Sequence, residues 1–203
     1  NATSAAALAG GLAAALADTP SRGTVVSALG AFRGLAATRR RAEDTSATTT
    51  DDAAEAAAAE ATMRVLSHAG RALSVGTVDG QSIDASTGDA GVRCVRQATG
   101  STFGSSVASP LGGSVGATGG ALPTPADGGE STDLCCAFSV TNAYTAADPN
   151  TTITSPIVSI EARSSTGADI AVTNTPMTIT IPLTDGAAPL NASSDVLCSF
   201  YNT

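Results

Sequence analysis

The chain has 203 residues, enough to bury a real core as one medium domain or two small ones. Its formal net charge is −8 and all ten basic residues are arginine, which argues against a nucleic-acid partner and excludes a lysine-dependent phosphate loop. Apolar content is 42%, but aromatics are only 3% and tryptophan is absent, so a core must be built from Ala, Val, Leu and Ile.

Residues 1–74 read as helical. Leu8, Leu12 and Leu16 recur every four residues, and after Thr19-Pro20 the residues Val25, Leu29, Phe32 and Ala36 share a face. Arg39-Arg40-Arg41 suits the negative end of that helix, and a basic-specific processing site is the less favoured reading. The polar link DTSATTT follows. Asp52-Ala53-Ala54-Glu55 then has the spacing of an N-terminal capping box, with Asp in place of Ser or Thr. The next helix is predicted to carry Met63, Leu66, Gly70 and Leu73 on its apolar face. His68 lies on it beside Ser67 with no local nucleophile–base pattern, so it is expected to be a surface or partly buried side chain.

From Val75 the apolar period changes to two. GVRCVRQA sets Val92 and Cys94 opposite Arg93 and Val95. CCAFSV sets Cys136, Phe138 and Val140 on one face, and PIVSIEAR sets Val158, Ile160 and Ala162 against Ser159, Glu161 and Arg163. MTITIPL alternates through Met177, Ile179, Ile181 and Leu183, with Pro182 marking an edge strand or a strand end. Asp148-Pro149-Asn150, Ser165-Thr166-Gly167 and Thr184-Asp185-Gly186 signal turns between runs. The segment 100–133 is rich in Gly, Ser and Pro and is expected to be largely loop, pinned by Leu111, Val115 and Leu122. The fold class predicted is therefore α+β: a helical subdomain over 1–74, then an antiparallel β-sandwich over 75–203.

Four cysteines, Cys94, Cys135, Cys136 and Cys198, form no C-x-x-C pair, and His68 is the only histidine, so neither a metal site nor a cofactor is expected. N-x-S/T sequons begin at Asn1, Asn150 and Asn191. Together with the cysteines they point to an extracellular glycoprotein. The Ala-rich opening lacks a basic start and is broken by Gly10-Gly11, so it does not read as a secretory signal. No run of about 18 strongly apolar residues occurs, so no membrane span is predicted.

The order of motifs carries a resemblance. Asn142-Ala143-Tyr144, then Ser155 to Ile160, Ile170 to Asn174 and Ile179 to Leu183, lead to Cys198-Ser199-Phe200-Tyr201-Asn202. This resembles the extracellular GAIN domain of adhesion receptors, and more closely its version in polycystin-1-like and egg-jelly-receptor (REJ) proteins. The last five residues resemble the opening strand of the family's proteolysis-site (GPS) motif, with Tyr201 where Trp is usual. The resemblance implies a GAIN-like sandwich whose first GPS cysteine pairs with a later one. It also implies a chain that is part of a longer protein, its sandwich completed by a downstream segment. The family's self-cleaving His-Leu-Ser/Thr tripeptide does not occur here, so no enzyme activity is expected.

Cys135 and Cys136 should point to opposite faces of their strand. Cys94 is expected to bond one of them, and Cys198 the other or a cysteine beyond Thr203; a vicinal Cys135–Cys136 bond is the strained alternative. The function expected is a non-catalytic structural, adhesive or mechanosensory module of a large cell-surface glycoprotein, on a ciliary or flagellar membrane for example. Its partners would be other extracellular proteins or glycans. The alternative is a glycoprotein subunit of an extracellular or flagellar-surface filament or of a cell wall.

Overall fold

The computed structural model describes residues 11, 21, 23–25, 27–28, 30–31, 52–87, 90–101, 106–108, 112–117, 122–139, 157–172 and 176–181. Within them the chain is α+β. A long helix, Asp52–Ser74, precedes eight strands: β1 (Ser82–Ser86), β2 (Ala90–Ala98), β3 (Val107–Ala108), β4 (Ser114–Ala117), β5 (Ser131–Ser139), β6 (Ile157–Ser164), β7 (Asp169–Ile170) and β8 (Met177–Thr180). All pairings are antiparallel, in a five-stranded sheet ordered β1-β2-β5-β6-β7 and a three-stranded sheet ordered β3-β4-β8.

The long helix begins at Asp52, where the capping-box spacing places a start. It ends at Ser74, after which Gly76 turns the chain at φ 79°, a conformation that favours glycine. Val65, Leu66, Ala69, Ala72 and Leu73 are buried, with Met63 packed beside them. That is the i, i+3, i+4 spacing of one helical face. Burying Leu66 and Leu73 contributes about 2 kcal/mol each. Ahead of it, Ser21 caps a helical stretch within 23–31: its Oγ accepts the Thr24 amide at 3.1 Å. Val25 and Ala28 of that stretch join the same core.

The five-stranded sheet has both faces covered. Val92, Cys94, Cys135 and Ala137 face the helix, whereas Leu134, Cys136, Phe138 and Ala162 face Val107, Val115 and Leu122 of the second layer. Every residue of β5 is buried, as a strand central to its sheet and sandwiched between layers requires. The alternations read from β2, β5 and β6 hold at each described position.

Three features differ from expectation. The segment 100–133 contains β3, β4 and the start of β5, because Val107 and Val115 supply the apolar anchors that let a Gly/Ser-rich stretch pair. Strands β1 and β7 are unsignalled in the sequence, being short and mostly polar. The polar side of β6 does not face solvent, since the helix covers it at Ser67. Of the other expected elements, the Leu8–Leu16 stripe, Leu29, Phe32, Ala36, the arginine run, Leu111, Val140, the turns at 148–150 and 184–186, Pro182 and Leu183 lie outside the described residues. β8 and β3 are the two edges of the three-stranded sheet among the described residues.

Candidate functional site

The helix-facing side of the five-stranded sheet carries the chemically distinctive groups. Cys94 and Cys135 are direct cross-strand partners in the β2–β5 register, their Cα atoms 4.1 Å apart, and are joined by a disulfide. The long helix lies on this bond through Gly70, whose carbonyl oxygen is 3.2 Å from Cys94 Sγ. Neither sulfur carries a proton, so this is packing, and the residue must be small. A Cβ on Gly70 would lie 3.3 Å from Cys135 Cβ and 3.4 Å from Val92 Cγ2.

Cys136 points the other way, into the core between the sheets. Among the described residues it is the free cysteine, and burial pushes its thiol up to about 12, so it stays protonated and unreactive at physiological pH. The opposite orientation of neighbours 135 and 136 is as expected for a strand, and the bond to Cys94 takes Cys135 of the two candidates. Cys198, Phe200, Tyr201 and Asn202 of the GPS-like strand, and the sequon residues Asn1, Asn150 and Asn191, lie outside the described residues.

Toward one end of the same face, apolar packing gives way to ions. Arg96 and Asp133 are opposed in register and form a fork: Nε donates to Oδ1 and Nη2 to Oδ2, both at 2.7 Å. The remaining guanidinium nitrogen donates to the Thr77 carbonyl at 2.8 Å, tying the helix exit to the sheet. The side chains are 12% and 2% exposed, and the hydrogen bonds to Asp133 raise the Arg96 pKa. Arg163 forms a second node on β6. It donates to Ser67 Oγ at 2.7 Å, the Ser67 carbonyl at 3.2 Å and Asp169 Oδ1 at 3.0 Å, and pairs with Glu161. Ser67 Oγ in turn donates to Glu161 at 3.0 Å.

A cleft of about 340 Å³ opens here, lined by Ser67, Glu161, Arg163, Asp169, Ile170 and Val172 among others. Its hydroxyl and both carboxylates are engaged by Arg163, which gives the cleft the character of a clamp between helix and sheet. His68 is half-buried on the adjoining helix, its pKa lowered by desolvation and then by Arg163 and Arg71. It is neutral at pH 7. A third polar node closes the β6–β7 turn: the Asp127 carboxylate accepts from Ser164 Oγ at 2.6 Å, from Thr166 Oγ1, and from the Gly129 amide at 3.1 Å. These bonds, Ser164 foremost, hold the Asp127 carboxyl below its ordinary range. No three His, Cys, Asp or Glu side chains among the described residues are grouped to hold a metal ion.

None of these polar nodes was singled out by motif. Their only trace in the sequence is the charged alternate positions of β6, Glu161 and Arg163, and of β2, Arg96. No helix among the described residues is long and apolar enough to cross a membrane. No protein-family model matches the chain, and no curated protein matches its sequence.

Proposed function

We infer that this chain is a non-catalytic extracellular module of a larger cell-surface glycoprotein, with a GAIN-like, polycystin-1-like character, whose work is adhesive or mechanical. The observation that carries this reading is the disulfide between β2 and β5, the two strands at the heart of the larger sheet. Such a bond persists in oxidising compartments. A cross-strand staple also resists the shearing that a load-bearing domain must withstand, and the Arg96 and Arg163 nodes anchor the helix to the same sheet. The three sequons support exposure to the glycosylation pathway. The GAIN-like refinement rests on the order of motifs in residues 140–203.

Two measurements test the reading. Secreted from eukaryotic cells, the protein should carry glycans at Asn150 and Asn191 and resist alkylation at Cys94 and Cys135; free thiols at both positions would sink the extracellular assignment. Under force, reduction should release the 41-residue separation between the cysteines. That adds roughly 150 Å of extension at about 3.6 Å per residue. An unfolding force unchanged by reduction would argue against a mechanical role.

A further inference from the structure

Four side chains stand in a row across the helix-facing side of the larger sheet. The registers set Ile83 of β1 beside Cys94, Cys94 beside Cys135, and Cys135 beside Glu161 of β6. The disulfide fills the middle of that row, its cysteines 2% and 4% exposed. A thiolate breaks such a bond by attacking one sulfur along the line of the bond, so it must arrive over Ile83 at one end or over Glu161 at the other. Ile83 is a half-buried apolar plug packed on the core. Glu161 is a carboxylate that repels an incoming thiolate, and Ser67 and Arg163 hold it in place. From above, Gly70 closes the bond: its carbonyl oxygen is 3.2 Å from Cys94 Sγ, and a Cβ on it would stand 3.5 Å from Cys135 Sγ. Cover and guard share one latch. The hydroxyl of Ser67, one helical turn before Gly70, donates to Glu161 and accepts from Arg163.

We propose that the helix Asp52–Ser74 is a redox-governed lid, docked on the sheet while the Cys94–Cys135 bond is intact and released when a dithiol reduces it. One reagent thiolate forms a mixed disulfide with one cysteine and expels the other as a thiolate, which takes up a proton. The reagent's second thiolate then closes the reagent's own disulfide and frees the second cysteine. The protein gains two electrons and two protons, and the dithiol loses them. Two free thiols take more room than one disulfide, and the helix backbone at Gly70 leaves none, so the reduced pair presses on the lid at its closest approach. The coupling is reciprocal: what lifts the helix opens the bond to reductant, and what reduces the bond weakens the helix's seat. Lifting the lid is a smaller event than unfolding, because it leaves the core between the sheets closed over Cys136. That thiol, on the other face of the same strand, is a built-in reporter of global unfolding. The inference goes beyond the adhesive or mechanical reading: a chain glycosylated as expected can still resist reduction until it unfolds, and an unglycosylated one can still carry the lid.

The test compares two rates on the oxidised full chain under native conditions. One is reduction of Cys94–Cys135 by dithiothreitol, and the other is alkylation of Cys136 without reductant, with positions 135 and 136 separated by fragment mass spectrometry. Each is divided by its rate in the unfolded chain. Reduction should then outrun alkylation by about tenfold or more. Ser67→Ala removes the latch and should speed reduction roughly tenfold while leaving Cys136 within about twofold. Gly70→Ala, which pries the helix from the sulfurs, should act in the same sense. Val115→Ala, in the opposite core, should do the reverse, speeding Cys136 alkylation about tenfold and leaving reduction within about twofold. If that variant does not fold, mild urea on the wild type replaces it and should raise alkylation more steeply than reduction. Two rates that rise together under both kinds of change, or reduction unmoved by Ser67→Ala and Gly70→Ala alike, overturn the proposal. In the reduced protein, amide exchange over 65–73 should quicken by about tenfold or more while 114–117 keep their protection. Equal loss in both segments, or none in the helix, overturns it as well.

Discussion

The two faces of the five-stranded sheet are held by different physics. Under the helix, a disulfide, two arginine nodes and the buried Leu66 and Leu73 act together. Under the second sheet, the strands rest mainly on apolar side chains and one protonated thiol, and the packing thins toward β8. Directional bonds fix where the helix sits, because a fork such as Arg96–Asp133 has one good geometry. Apolar packing tolerates sliding, and it is on that side that Ile179 and Ile181 are left half-covered. The helix-covered face is thus held by directional bonds, and the sheet-covered face by apolar packing alone.

The largest blow to that contrast should come from the disulfide. Replacing Cys94 and Cys135 with alanine, or reducing the wild type, should lower unfolding stability by about 4 kcal/mol for a loop of this length, read by denaturant titration with and without reductant. Asp133→Asn should cost about 3 kcal/mol, since it leaves a mostly buried guanidinium without its counter-charge. A double cycle with Arg96→Met should recover much of that loss. If Asp133→Asn is neutral, the arginine node does not anchor the helix.

On the other face the expected losses are smaller. Cys136→Ser should cost about 2 kcal/mol, because a hydroxyl would sit in apolar surroundings without a partner. In the wild type, thiol reagents should modify Cys136 only at the global unfolding rate. The smallest effect should be that of pH on His68. Its folded pKa lies below the ordinary 6.5, so the unfolded chain binds the proton more readily. Stability should fall as pH drops below about 6.5, levelling off once the folded-state group is itself protonated. Thermal melts of His68→Gln should lose that slope.

Much of this arrangement was legible because it is periodic. The helix face at Leu66, Gly70 and Leu73, the opposed directions of Cys135 and Cys136, and the alternation of Val158, Ile160 and Ala162 all follow from 3.6 and 2 residues per repeat. Period alone did not disclose what covers a polar face. Glu161 and Arg163 look like solvent-facing positions of a half-buried strand, yet their partner Ser67 lies on a helix 94 and 96 residues away in sequence. Such contacts depend on how layers stack, which no local window contains. β3 and β4 are not signalled for a related reason: glycine and serine indicate loops, and single valines are enough to pin them once a sheet lies beneath.

The paired residues Cys135 and Cys136 also bear on how the chain finds its register during oxidative folding. A slip of β5 by one position against β2 would bring Cys136 opposite Cys94 and allow the wrong bond to form. The same slip would turn Leu134 and Phe138 toward the helix and Asp133 into the apolar core, away from Arg96. The misbridged form would therefore be expensive and open to reshuffling, whereas the correct one shuts its disulfide beneath Gly70 and its spare thiol beyond reach of exchange. Two adjacent cysteines, often a hazard for mispairing, are here told apart by the faces on which their neighbours must lie.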